Sequence, residues 1–217
     1  MNEINNMNDW KIIEYHPGLT PEIVTDLWLY RSELLRFSKA INLVSNKSLA
    51  DLDTVHFGDS IMGCRIINNA QQHERIFDIG SGNGFPGVVM GILYRERPVS
   101  LVESDGRKCE FLKHICSQLK LKNVLVVNES VQALGVGSIG AAMSRGFADI
   151  PKALLTVNRV MKRGSVYFHF KGEEWASEVA NMPSQLFSIW EPGLVDNYVV
   201  PGDKRKLSIV KTVKVGD

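Results

Sequence analysis

The sequence predicts an α/β protein built on a doubly wound parallel sheet. Three observations lead there. From Arg75 onward, short apolar strands alternate with helices that are apolar on one side. A glycine-rich turn, Gly80-Ser-Gly82-Asn-Gly84, follows the first of those strands. The chain has 217 residues, 44% apolar and 23% charged. A chain of that length buries roughly 70% of its unfolded surface, so it needs no disulfide or metal to fold.

The elements follow in order. Thr20-Pro21-Glu22 is a helix start: a capping hydroxyl, a proline at the first turn, then an early acid. Ile23, Leu27, Tyr30 and Leu34 recur behind it at helical spacing. A second helical stretch runs from Leu49 to Ile67. Residues 1–70 read as a helical cap, too small to be stable alone, and residues 71–217 as the sheet domain, the two making one compact unit. Strands are predicted at Arg75–Ile79, Val99–Glu103, Asn123–Val127, Ile139–Ser144 and Gly164–Phe170. Helices are predicted between them at Pro86–Tyr94, Arg107–Leu121 and Ile150–Met161. Leu186–Trp190 and Leu207–Val213 are expected to close the sheet as a hairpin. Right-handed crossovers leave a doubly wound sheet as the simplest topology.

Composition excludes several classes of function. The formal net charge is +1, so the chain is no polycation that holds nucleic acid by charge alone. The charge is uneven, however. Residues 1–60 carry nine acids against five bases, and the remainder carries twenty bases against fifteen acids. Cys64, Cys109 and Cys116 have no metal-ligand spacing, and Cys109, Leu112 and Cys116 share a helical stripe. They read as packed thiols in a reducing cytoplasm, with no metal site. Met1–Trp10 has no signal-peptide pattern, and the longest apolar run, Gly87–Tyr94, is too short to cross a bilayer.

The chemistry concentrates in Asp78-Ile-Gly80-Ser-Gly82-Asn-Gly84-Phe-Pro-Gly87. Glycines at alternate positions let the backbone turn sharply and approach a ligand. Glu103 ends the next strand, 23 residues after Gly80, where a carboxylate accepts both ribose hydroxyls of an adenosine. Two cofactors compete. Gly82 to Gly87 fits the dinucleotide pattern. S-adenosylmethionine is favoured because Asp78 would repel a pyrophosphate yet hold an ammonium, and because the dinucleotide register leaves Gly80-Ser81 unexplained. The chain also lacks room for a second nucleotide half plus a substrate domain. A structural turn without ligand is the third reading.

At this point the sequence resembles a known family. Asn42-Leu43-Val44, His56-x-x-Asp59-Ser60, the glycine loop, Glu103-Ser-Asp-Gly-Arg-Lys108, Ser144-Arg145-Gly-Phe-Ala148, Lys171-Gly172 and Lys204-Arg-Lys206 are similar to the glucose-inhibited division protein B family. Those proteins are the bacterial small-subunit (16S) ribosomal RNA guanine-N7 methyltransferases. The resemblance covers nearly the whole chain. It implies a Rossmann-like class I methyltransferase sheet with an antiparallel last strand. It also implies S-adenosyl-L-methionine contacts at Gly80, Phe85, Val131, Gln132 and Arg145, joined by Asp78, Gly82 and Glu103 on the argument above. The pattern departs at Ser130 and Gln132, near which the family usually has arginine and glutamate. Ser81 and Asn83 stand where threonine and proline are usual, and both still permit a turn.

Guanine N7 offers a lone pair and no proton, so its methylation needs no general base. The sequence agrees: no Asn- or Asp-Pro-Pro-Tyr follows the fourth strand, and no cysteine is placed for pyrimidine chemistry. Arg145 is the one candidate for positioning substrate or cofactor, against a plain strand-end salt bridge. Arg107, Lys108, Lys171, Lys204 and Arg205 are candidate RNA contacts, against solvated or paired surface charges. His56 is read as a structural histidine within reach of the substrate pocket, and Phe85 and Phe147 as stacking or packing rings. The expected partner is 16S ribosomal RNA or the small-subunit particle, with neither DNA nor membrane. A dinucleotide-dependent oxidoreductase and a non-catalytic RNA-binding assembly factor are the alternatives.

Overall fold

The structure, a computed structural model, describes residues 6–7, 10–41, 52–71 and 75–217. Asn42-Leu43-Val44 and the start of the Leu49–Ile67 stretch lie outside them. The described chain begins with α1 (Lys11–Tyr15) and α2 (Pro21–Ile41). A π-helical turn, Leu52–Gly58, then runs directly into α3 (Asp59–Ala70). The predicted second helix is therefore two geometries in series. The α/β part follows: β1 (Ile76–Ile79), α4 (Gly87–Leu93), β2 (Val99–Val102), α5 (Gly106–Gln118), β3 (Val124–Val127), β4 (Ile139–Arg145), α6 (Ile150–Val157) and β5 (Met161–Lys171). It ends with α7 (Trp175–Ala180), α8 (Ser184–Phe187), β6 (Trp190–Val199) and β7 (Lys206–Lys214).

The strands form one sheet in the order β3-β2-β1-β4-β5-β7-β6. β1 to β5 are parallel, and β7 is antiparallel to both of its neighbours. The chain steps outward from β1 to β3 and then crosses back to β4. Strand order thus reverses between β1 and β4, and such a reversal opens a crevice at the carboxyl ends of the two strands.

Side-chain alternation along the strands builds a core on each face. Ile76, Ala141, Met143, Phe168 and Ile209 pack under the cap and under α3, α4 and α5. Ile79, Val102, Ala142, Tyr167 and Val210 pack against α6 and α8. Leu27, Tyr30 and Leu34 of α2 are fully buried, as their spacing predicts, and belong to the first core. Tyr30 sits among Phe57, Phe85 and Phe111. Its hydroxyl donates to the Asn83 carbonyl at 2.7 Å, tying α2 to the glycine turn. Among the described residues, no helix is long and apolar enough to cross a membrane.

Three predicted boundaries are corrected. The helix expected to reach Met161 ends at Val157, because Met161 pairs with Ile139 as the first residue of β5. Between Ile139 and Ala141 the register shifts, so β5 bulges around Gly164 before pairing resumes at Val166. The predicted strand at Leu186–Trp190 is instead the end of α8 and a turn, and the hairpin partner is β6, which starts at Trp190. Pro192 and Gly193 disguise that strand. They are tolerated because β6 is the sheet edge.

Replacing Tyr30 with phenylalanine keeps the ring but strips the Asn83 carbonyl of its donor. The expected loss is about 1 kcal/mol of unfolding free energy, measured by urea titration, with adenosylhomocysteine binding weakened through the loosened turn.

Candidate active site at the carboxyl edge of the sheet

The glycine turn is built from left-handed residues. Gly80, Gly82 and Gly84 have φ of +68°, +57° and +102°, which side chains rarely adopt. The amides of Gly80 and Ser81 both donate to the Val102 carbonyl, so the turn hangs from the end of β2. Glu103 braces it from below. One carboxylate oxygen accepts from the Gly82 amide at 2.8 Å, and the other from the Asp105 amide at 2.9 Å. A carboxylate has about four lone-pair positions, so each oxygen retains capacity for a ligand hydroxyl.

Asp78 lies on the cap-facing side of β1 and is 1% exposed. Its Oδ2 accepts from the Gly87 amide at 3.0 Å, while Oδ1 is buried with no hydrogen-bond partner. Burial raises its pKa from 3.8 to about 7, against the pull of the Gly87 amide, the nearby Ser81 hydroxyl and the Arg145 charge. An unanswered buried acceptor is costly, and it suits a ligand bearing an ammonium group. It does not suit a diphosphate.

A cleft of about 270 Å³ opens beside the turn. Ile79, Val102, Val131, Phe147 and Ala148 give it apolar walls, and Glu103, Ser130, Gln132, Lys152 and Thr156 a polar margin. Gly80 forms part of its floor, and a Cβ on Gly80 would lie 2.7 Å from the Phe147 ring. Of the residues singled out in the sequence, Gly80, Glu103, Val131, Gln132 and Phe147 meet here, while Asp78 and Gly82 do not line the cleft.

Arg145, at the end of β4, points to the cap side. Its guanidinium donates to the Val55 carbonyl at 2.8 Å, to Asp59 at 3.1 Å and to His56 Nδ1. Asp59 also accepts from the Tyr198 hydroxyl at 2.6 Å. Val55, His56, Asp59 and Arg145 border a second pocket of about 370 Å³, lined also by Gly146, Phe170, Lys171 and Leu207. The salt-bridge reading of Arg145 is thus correct as far as it goes, and the bridge itself forms a pocket wall.

The other singled-out residues fall elsewhere. The Phe85 ring is buried between Tyr30 and Phe57, with the Arg145 guanidinium 5.2 Å from its centre, and it does not line the cleft. Lys171 lines the second pocket, but its ammonium is committed to the Ala148 carbonyl at 2.9 Å and Glu178 at 2.6 Å. Arg107 is exposed and paired with Asp105, Lys108 is half-buried, and Lys204 and Arg205 are exposed on the approach to β7. Sequence reasoning missed Tyr198. It meets Asp59 from 139 residues away, and only the motif His56-x-x-Asp59 hinted that Asp59 had work to do.

The model of the rRNA small subunit methyltransferase G family matches residues 23–191. The chain belongs to this family. A ribosomal RNA small subunit methyltransferase G 3 from Bdellovibrio bacteriovorus is 43% identical over 207 residues, covering 95% of this chain and 94% of that one. A ribosomal RNA small subunit methyltransferase G from Paracoccus denitrificans is 31% identical over 162 residues, covering 75% and 81%. The crystal structure of a SAM-dependent methyltransferase from Aquifex aeolicus shares the fold, with a TM-score of 0.55 at 12% identity, covering 84% of this chain and 98% of that one. Family membership decides between the two readings of the glycine loop. The protein is an S-adenosylmethionine-dependent enzyme of small-subunit ribosomal RNA.

Two predictions follow from the geometry. Asp78 must be ionised to hold an ammonium, and its raised pKa keeps it largely protonated below about 7. Affinity for adenosylhomocysteine should therefore rise about tenfold between pH 6 and pH 8, and Asp78→Asn should flatten that profile in calorimetry. The stability of the free protein runs the opposite way. The folded state holds the proton more tightly than the unfolded chain, so stability falls as pH climbs from about 4 through 7. Separately, Gly80→Ala forces a left-handed alanine against Phe147. It should cut adenosylhomocysteine affinity by about tenfold or more while the far-ultraviolet spectrum is retained.

Proposed function

We propose that the enzyme transfers the methyl group of S-adenosylmethionine to N7 of a guanine in 16S ribosomal RNA. The observation that carries this reading is the buried, unpartnered Oδ1 of Asp78 beside a glycine turn braced by Glu103. In this reading Asp78 holds the amino acid ammonium, and Glu103 the ribose hydroxyls. Gly80 and Gly82 let the chain pass close to the ligand. Val131, Gln132 and Phe147 enclose the adenine, and Arg145 acts from the second pocket. The cofactor supplies an electrophilic methyl group on a sulfonium.

Guanine N7 needs no proton removed, so the protein's part is alignment and exclusion of water. Held geometry of that kind contributes up to roughly 7–11 kcal/mol in well-oriented systems. Positive charge passes from sulfur to the purine, and the carboxylates of Asp78 and Asp59 keep the crevice from being uniformly cationic. N7 is inaccessible in the deep groove of A-form RNA, so the target guanine is splayed out, within a folded 16S domain or a small-subunit particle. In this reading Arg107, Lys108, Lys204 and Arg205 meet phosphates around it, Arg107 and Arg205 from their pairs with Asp105 and Asp203. Residues 1–70 act as a cap with residues 71–217 as one unit, a reading supported by the core that α2 and the sheet share. The three cysteines are buried free thiols, which suits a reducing cytoplasm. Neither DNA nor a membrane has a part in this reading.

The deciding experiment supplies the protein with labelled S-adenosylmethionine and 16S RNA, free or in 30S particles, from a strain lacking the gene. One labelled 7-methylguanosine, located by borohydride and aniline cleavage, is the expected result. Label on another nucleoside, or none on either substrate, would overturn the assignment.

A further inference from the structure

His56, which lines the second pocket, carries a donor that the fold leaves unused. Arg145 donates to His56 Nδ1, and a guanidinium has no acceptor atoms, so Nδ1 must carry a lone pair. The imidazole is then neutral, with its proton on Nε2. Among the described residues that Nε2 has no hydrogen-bond partner, and it is shielded from solvent. Burial and the neighbouring Arg145 charge hold the ring in this form, its pKa lowered to about 3. The tautomer is fixed from behind as well. Arg145 is clamped by the Val55 carbonyl and by Asp59, and Asp59 by Tyr198.

The pocket lies next to the cofactor cleft. Gly146 has a φ of +64° and separates Arg145 from Phe147. Arg145 and Gly146 line the 370 Å³ pocket, while Phe147 and Ala148 line the 270 Å³ cleft. Phe170 and Leu207 give the larger pocket apolar surface for a base plane.

We infer that this pocket receives the acceptor guanine and that His56 Nε2–H donates to its O6. The inference rests on the guanine-N7 reading above. A single donor on O6 has a chemical advantage over an arginine fork, which would bind O6 and N7 together and block the nucleophile. A neutral donor also adds no charge beside a ring that becomes cationic. Adenine carries an amino group where guanine has O6, so it presents a donor to a donor and is rejected.

The test uses His56→Asn, which keeps an acceptor near the Nδ1 position for Arg145 and removes the Nε2 donor. It is assayed on 16S RNA carrying either guanosine or 2-aminopurine riboside at the mapped nucleotide, introduced by splinted ligation. 2-Aminopurine retains N7 and lacks O6. The wild-type enzyme should lose about tenfold or more in kcat/KM on the 2-aminopurine RNA. His56→Asn should lose a similar factor on guanosine RNA and show little further loss on 2-aminopurine. Adenosylhomocysteine affinity and melting temperature should stay at wild-type values, separating the role from a structural one. Unchanged kcat/KM in the variant, or full losses that multiply on combination, would overturn the inference while leaving the N7 assignment intact. A wild-type enzyme that methylates no guanine N7 would instead overturn the reading beneath it.

Discussion

A carboxylate sealed inside the protein, one of its oxygens accepting no hydrogen bond, constrains everything packed beneath the glycine turn. Asp78 lies under α4, braced by the Gly87 amide, and its Oδ1 accepts no hydrogen bond. Folding around such a group is unfavourable, and the raised pKa records that cost. The surrounding structure must therefore be stable enough to hold it. The first core meets this need by packing the cap, β1, α4 and α5 into one apolar mass. A preorganised buried charge costs the free protein stability, which any partner bound to it restores.

The second organising contact is the guanidinium of Arg145. It joins the end of β4 to the π-helical turn and to the first residue of α3. The wide π geometry gives this segment a role beyond covering the core. It presents the Val55 carbonyl, the His56 ring and, one step on, Asp59 to a single cation. π-Helical turns are uncommon and recur at functional sites. Tyr198 then closes the network from β6. The cap, the sheet centre and the terminal hairpin thus converge on one pocket, although they are distant in sequence.

Much of this was legible in the residues. Alternating strands and helices gave the sheet and the number of its layers, because period 2 and period 3.6 are strong local signals. The glycine turn marked the ligand edge and its spacing singled out Glu103, but as a ligand group, and the amide bonds by which Glu103 braces the turn were not foreseen. What escaped had nonlocal causes. The end of α6 depends on Met161 pairing with Ile139, and no local pattern announces that partner. β6 was hidden because Pro192 and Gly193 argue against a strand unless the strand is known to be an edge. Phe85 was expected at the cofactor, yet its ring turns into the aromatic cluster beneath the cap. Lys171 looked like an RNA contact because a lysine after a strand reads as exposed, while Glu178 and the Ala148 carbonyl claim its ammonium.

Pro192 has a further effect. A seven-stranded sheet ending in a ten-residue outer strand offers a template on which another chain could lay itself down. An imide nitrogen cannot extend a ladder, and the register slip between Leu194 and Asp196 breaks its regularity a few residues later. Together they blunt that border against accretion. The protein is thereby less prone to cluster with its own copies through that edge.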